Sequence, residues 1–140
     1  MKQTGIWLDK LKAHIVTFFD GKVSFTTILS NVETFHVHGG SGTRRKGGPQ
    51  DVVQDSKYLE REKHQLKNYF KNIATEIKDT DEIVIFGPAE TGVKFCKELD
   101  EKHTGLRNKV KKVVKTDSMT KNQVKAWVRK FYSFERTKSL

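Results

Sequence analysis

At 140 residues the chain is long enough for one domain with one core, and 35% hydrophobic against 31% charged residues is a polar but foldable balance. No apolar run approaches the roughly 18 residues of a membrane span, the first twenty residues have no leader-type apolar core, and a single cysteine, Cys96, excludes an intrachain disulfide framework or a thiolate zinc cluster; the expected setting is the cytoplasm. The net charge of +10 is concentrated at one end, where eleven Lys and Arg in residues 105–140 face only Asp117 and Glu135, a distribution that attracts polyanions, nucleic acid being the commonest.

The first thirty residues read as an antiparallel meander. Residues 5–9, Lys12–Phe19 and Lys22–Leu29 are short runs rich in Ile, Val, Phe, Thr and Trp. Asp20-Gly21 between the second and third is a hairpin signal. In the second run Ala13, Ile15 and Thr17 alternate with His14, Val16 and Phe18, as expected of a sheet with one face better buried than the other. Residues 39–48 follow with five glycines, Ser41, Thr43 and the basic run Arg44-Arg45-Lys46. Nothing in them is apolar, so a mobile loop spanning about residues 36–54 is expected.

A helix is predicted from Asp55 or Ser56 to Ile77, because Leu59, Leu66, Tyr69, Phe70, Ile73 and Ile77 recur at three-to-four spacing. The near-continuous apolar run Ile83-Val84-Ile85-Phe86 is a strand covered on both faces. Gly87-Pro88 turns into a second helix, with Pro88 suited to its first position and Val93, Cys96 and Leu99 expected in the core. Val110–Lys115 is a further strand. Thr120-x-x-Gln123 is a capping box that opens the last helix, with Val124, Trp127, Val128 and Phe131 as its buried stripe. The order βββαβαβα predicts a single α/β domain over residues 1–140, with a mixed sheet of about five strands and helices packed on it.

Three stretches resemble one family. Gly5-Ile6-Trp7-Leu8-Asp9 with Ala13-His14-Ile15, the IVIFGPAE segment at 83–90, and Lys115–Thr120 followed by Gln123-Val124 and Arg129-Lys130-Phe131-Tyr132 are similar to small bacterial translational-machinery proteins. Those in turn resemble the middle domain of archaeal and eukaryotic class-1 release factors and of Pelota. The resemblance covers about residues 4–134. It implies a three-layer, ribonuclease-H-like fold and partners in the ribosome, rRNA or tRNA. Release factors carry Gly-Gly-Gln in a mobile basic loop that reaches the ester joining peptide to tRNA. Gly47-Gly48-Pro49-Gln50 lies in the corresponding place, so the resemblance assigns Gly47, Gly48 and Gln50 as candidate catalytic residues. The inserted Pro49 fixes φ and removes an N–H, and it shifts Gln50 by one position. The segment therefore reads either as a hydrolytic loop or as a plain basic loop.

Other groups carry less. His36-x-His38 places two imidazoles on one side of an extended segment; even with His64 they are too few for a metal site, and no cofactor is expected. The turn Gly87–Gly92 resembles an anion site but lacks the Walker lysine, and Glu90 repels phosphate; it reads as structural. Cys96 reads as a small buried hydrophobe. Lys121, Lys125 and Arg129 recur every four residues and form one helical stripe. With Lys109, Lys111 and Lys112, and with Arg44, Arg45 and Lys46 in the loop, they are the candidate RNA-binding residues. Three functions remain open on sequence grounds: a basic, ribosome- or structured-RNA-associated translation protein; a hydrolase of peptidyl-tRNA or a related ester; and a scaffold binding protein partners, or a second copy of itself, through a sheet edge.

Overall fold

Alternation in the first thirty residues becomes three antiparallel strands, β1 (Gln3–Leu8), β2 (Lys12–Phe19) and β3 (Lys22–Leu29). Asp9 closes the first turn, its Oδ1 accepting the N–H groups of Leu11 and Lys12 at 2.8 and 2.9 Å. Asp20 and Gly21 form the second turn, both with positive φ (54° and 76°), as a twisted two-residue hairpin requires. The computed structural model describes residues 1–31 and 49–139, with side chains in 1–31 and 60–133. The remaining elements are α1 (Pro49–Glu76), β4 (Glu82–Gly87), α2 (Thr91–Lys102), the single turn α3 (Thr104–Arg107), β5 (Val110–Lys115) and α4 (Lys121–Ser139).

The five strands form one mixed sheet in the order β3-β2-β1-β4-β5. β1 runs antiparallel to β2 and parallel to β4, and β4 runs parallel to β5. Strand alternation divides the core in two. Ile6, Leu8, Ile15, Ile83 and Ile85 point to one face, where Tyr69, Phe70 and Ile73 of α1, Ile77 just after it, and Phe95, Cys96 and Leu99 of α2 pack on them. Trp7, Val16, Val84 and Phe86 point to the other, under Val124, Val128 and Tyr132 of α4. The domain is therefore three layers, α1 and α2, the sheet, and α4, as the α/β reading expects. Gly5 is where α4 comes closest to the sheet: a Cβ there would collide with the Val128 side chain.

Three local expectations are corrected. Helix α1 begins at Pro49 rather than near Asp55, because a proline at the first helical position has no N–H to leave unpaired and carries the helical φ already; residues 49–54 of the expected loop are thus helical. Helix α2 begins at Thr91, not at Pro88. Residues 87–90 are a turn in which Ala89 has φ +54° and Gly87 φ +147°, and a Cβ on Gly87 would collide with the Leu8 carbonyl oxygen. The buried stripe of α2 also differs: Val93 is 53% exposed and Phe95 is fully buried in its place.

Candidate nucleic-acid interface

Helix α4 sets the geometry of the basic surface. Its first turn is fixed by the capping box that the sequence announces: the Thr120 N–H donates to Gln123 Oε1 at 2.9 Å and the Gln123 N–H to Thr120 Oγ1 at 3.2 Å. Further along, the Tyr132 hydroxyl donates to the Thr4 carbonyl at 2.8 Å, buried between helix and sheet. With Val124 and Val128 fully buried, these contacts fix both the rotation and the slide of the helix. Trp127 and Phe131 are half-buried. Trp127 stacks on Phe86 with ring centres 3.9 Å apart and on Phe131 at 5.7 Å.

That rotation turns the cationic stripe toward the β2–β3 hairpin rather than directly away from the sheet. Lys121 and Lys125 both lie over the Phe25 ring, with Nζ 6.0 and 5.0 Å from its centre. The Arg129 guanidinium lies 5.8 Å from the centre of Phe18. Phe18 and Phe25 are the residues that the sequence reading missed. Their alternation with inward-facing neighbours on β2 and β3 places them on the α4 side, but which helical residues meet them depends on the seating of α4.

The other described candidates divide sharply. Lys109 Nζ donates to the Thr80 carbonyl at 2.8 Å, which ties the entry of β5 to the α1–β4 connection. Lys111 pairs with Glu82 at 3.4 Å. Lys112 pairs in register with Val84 and is exposed on the α4 side of the edge strand β5. Among the described residues no carboxylate lies within ion-pair distance of Lys112, Lys121, Lys125 or Arg129, whereas Lys10, Lys111 and Lys115 pair with Glu62, Glu82 and Glu90. Arg44, Arg45, Lys46, Gly47, Gly48, His36 and His38 lie outside the described residues.

A buried polar cluster sits at the head of the same surface. His14 is 3% exposed and stacks on Trp7 with ring centres 5.3 Å apart. Its Nδ1 is 3.0 Å from Thr27 Oγ1, and Phe25 lies at its other side, 5.4 Å away. Burial, and then the charges of Lys12 and Lys121, push the imidazole below its usual pKa against a smaller opposing pull from Asp9. His14 is therefore neutral at pH 7. The Trp7 Nε1–H is buried with no acceptor among the described residues.

Helix α1 places Gln50. Lys10, in the β1–β2 turn, pairs with Glu62 at 3.0 Å, and the Tyr69 hydroxyl donates to the Asp9 carbonyl at 3.0 Å, so this stretch of α1 lies level with the end of the sheet. The helix continues from Glu62 back to Pro49, roughly 20 Å at 1.5 Å per residue. The Gln50 backbone thus belongs to the first turn of an arm that extends past the sheet, at the end where α4 begins. Burial raises the Cys96 thiol pKa above its usual value, which leaves it protonated and no nucleophile. His64 is exposed, and among the described residues no group of three or more His, Cys, Asp or Glu is arranged to hold a metal. No described helix is long and apolar enough to cross a membrane.

In sequence the chain matches no family model and no curated protein. In structure it is similar to Pelota from Archaeoglobus fulgidus, with TM-score 0.53 and 12% identity over 99% of this chain and 38% of that one. It is also similar to an archaeal translation termination factor, with TM-score 0.52 and 10% identity over 99% of this chain and 41% of that one. The chain spans about two fifths of the length of each. The fold shared with these two proteins extends along almost the whole of this chain.

Proposed function

We propose that this protein is a translation-related, RNA-binding module of the cytoplasm, akin to the small bacterial translational-machinery proteins its sequence resembles, and that it docks on the ribosome or on structured rRNA or tRNA. The observation that carries the reading is the joint placement, on a fold shared with Pelota and a translation termination factor, of a projecting α1 arm and a line of cations on α4 that have no carboxylate partner among the described residues. Lys121, Lys125 and Arg129 neutralise phosphate at this surface, with Lys112 on the far side of α4 and Arg44, Arg45 and Lys46 in the segment that precedes the arm. Such binding is sequence-independent and weakens steeply with salt. Sedimentation with ribosomes through a sucrose cushion tests it. Association at low salt that is lost at high salt, and lost in a K121Q/K125Q/R129Q variant, is the expected result. No association at any salt overturns the reading, and a protein partner retained at high salt without RNA favours the scaffold function instead.

A second reading is supported by the start of α1. With Pro49 opening the helix, Gln50 stands in the first turn of the arm directly after Gly47-Gly48, at the extremity where an ester-cleaving glutamine is needed. In this reading Gln50 orients water at a peptidyl-tRNA ester. Gln50→Ala then abolishes release of peptide from charged tRNA on ribosomes while leaving sedimentation intact; a wild-type protein that releases none overturns it.

A further inference from the structure

Helix α4 covers the inner strands of the sheet and leaves the outer hairpin partly open. On the α4 side of β3, Val23 and Leu29 are exposed and Phe25 is half-covered. The hairpin and α4 meet along a seam in which Lys121 and Lys125 rest over Phe25 and Arg129 over Phe18, a channel once these side chains lift. At its hairpin end lies a cavity of about 350 Å³ lined by Phe18, Val23, Arg129 and Tyr132, where Asp20 of the turn is the one carboxylate among the described residues. That volume is within the range of pockets that hold small planar ligands.

We propose that this channel binds a single strand of RNA, with Lys121, Lys125 and Arg129 on consecutive phosphates, a base stacked on Phe25, and a second base received by the cavity beside Phe18. This deepens the RNA-binding reading above and rests on it. The cations are spaced one helical turn apart, about 6 Å, which suits consecutive phosphates of a strand, and two further features select an unpaired strand over a duplex. Aromatic side chains interleave with them, the combination by which proteins hold single strands. In a duplex the faces of the bases are already stacked on each other, so rings such as Phe25 and Phe18 have nothing to receive. The ammonium groups now resting on Phe25 do not block the site. An exposed cation–π contact is weaker than the stacking of a base together with a phosphate pair, and the flexible lysine stems let Lys121 and Lys125 lift from the ring to the backbone. The channel begins at the hairpin turn and runs to the N-terminus of α4, the end of the sheet from which α1 projects. A strand bound in it is led toward the Gln50 arm.

The test is fluorescence polarisation with a labelled oligouridine RNA, a hairpin duplex RNA and an oligothymidine DNA, titrated at several salt concentrations. The single-stranded RNA is expected to bind at least about tenfold more tightly than the duplex. Phe25→Leu, which keeps an apolar side chain but removes the ring, is expected to weaken the single strand about tenfold, within the range measured for loss of one stacked base, and to leave the duplex unchanged. In K121Q/K125Q/R129Q the slope of log affinity on log salt is expected to fall by about 2. Phe18→Leu serves as the second variant should Phe25→Leu unfold, and ultraviolet crosslinking of the wild-type protein to oligouridine is expected to label Phe25 or Phe18. Equal affinity for duplex and single strand, no effect of either Phe variant, or crosslinks confined to other elements overturns the proposal, and tighter binding of the DNA overturns the assignment to RNA. Salt-labile ribosome association without single-strand binding defeats this site alone; absence of both defeats the underlying RNA reading as well.

Discussion

Of the two faces of the sheet, the one beneath α1 and α2 is closed and nearly all apolar. Ile6, Leu8, Ile15, Ile83, Ile85, Phe95 and Leu99 are there, all but inaccessible to water. The face beneath α4 is built differently. One helix covers it, its interior includes His14 and the Nε1 of Trp7, which has no acceptor among the described residues, and its border is a line of cations over aromatic rings. The closed face gains from every methylene it buries. The open face gives up part of that gain, since a buried N–H without an acceptor costs free energy and an exposed edge such as β3 invites pairing with other chains. Both faces bury an apolar core, but only the α4 side combines it with a buried imidazole and a border of cations over rings, the surface proposed above for RNA.

The largest expected effect separates the two directly. Phe95→Ala removes a fully buried ring that packs against Phe70 at 5.4 Å. It is expected to cost about 3–5 kcal/mol of folding stability, measured by urea unfolding, while the salt dependence of RNA binding in the folded fraction stays unchanged. The K121Q/K125Q/R129Q variant is the converse. It is expected to lower the slope of log affinity for ribosomes on log salt by about 2–3 and to shift stability by less than about 0.5 kcal/mol per site, as for exposed positions elsewhere. Were Phe95→Ala to abolish binding in the folded state, or the charge variant to unfold the protein, the division between the faces would not hold.

The same division explains what the sequence made legible. Periodicity and turn chemistry report on a residue's own element, so β2, β3 and β5 and the capped start of α4 could be placed from the chain alone. The face of α2 could not, because Val93 and Phe95 are both apolar and only the packing of Phe95 against Phe70 and the sheet decides which points inward. The extent of α1 was missed because residues 49–58 carry too few apolar positions for a stripe, and the first-turn preference of Pro49 is a weak signal by itself. For the basic residues, charge density drew attention to the last quarter of the chain. It could not distinguish Lys109 and Lys111, committed to Thr80 and Glu82, from Lys121, Lys125 and Arg129, because their partners are some thirty residues away or more in sequence, or on another strand.

Between the extremes lies the joint where α4 meets the sheet. Tyr132→Phe removes the hydroxyl that donates to the Thr4 carbonyl and is expected to cost about 1 kcal/mol, the usual net value of one such bond, read from the urea midpoint. Because this bond also sets the slide of α4 over Phe18 and Phe25, single-strand affinity is expected to fall with it by a small factor, in contrast to Phe95→Ala. An unchanged affinity would mean that Val124 and Val128 alone seat the helix.

The smallest effect is a pH dependence carried by the open face. His14 faces Lys12, Lys121 and Asp9, and burial with the two lysines holds its pKa below the 6.5 of an unfolded chain. Below pH 6.5 the unfolded state therefore binds a proton that the folded state resists, and stability rises with pH wherever the unfolded state binds more protons. The contribution of His14 is complete above pH 6.5 and declines as pH falls from there toward the depressed folded value. Urea unfolding at pH 7.5, 6.5 and 5.5 is expected to show this decline in the wild type and a flatter profile in His14→Gln. Protonation also places a third positive charge beside Lys12 and Lys121. An RNA strand in the channel would draw that charge back, so binding is expected to raise the His14 pKa and lessen the acid sensitivity, and an NMR titration of the imidazole with and without oligouridine measures it. An unmoved His14 resonance on saturation would show that the strand does not reach the head of α4.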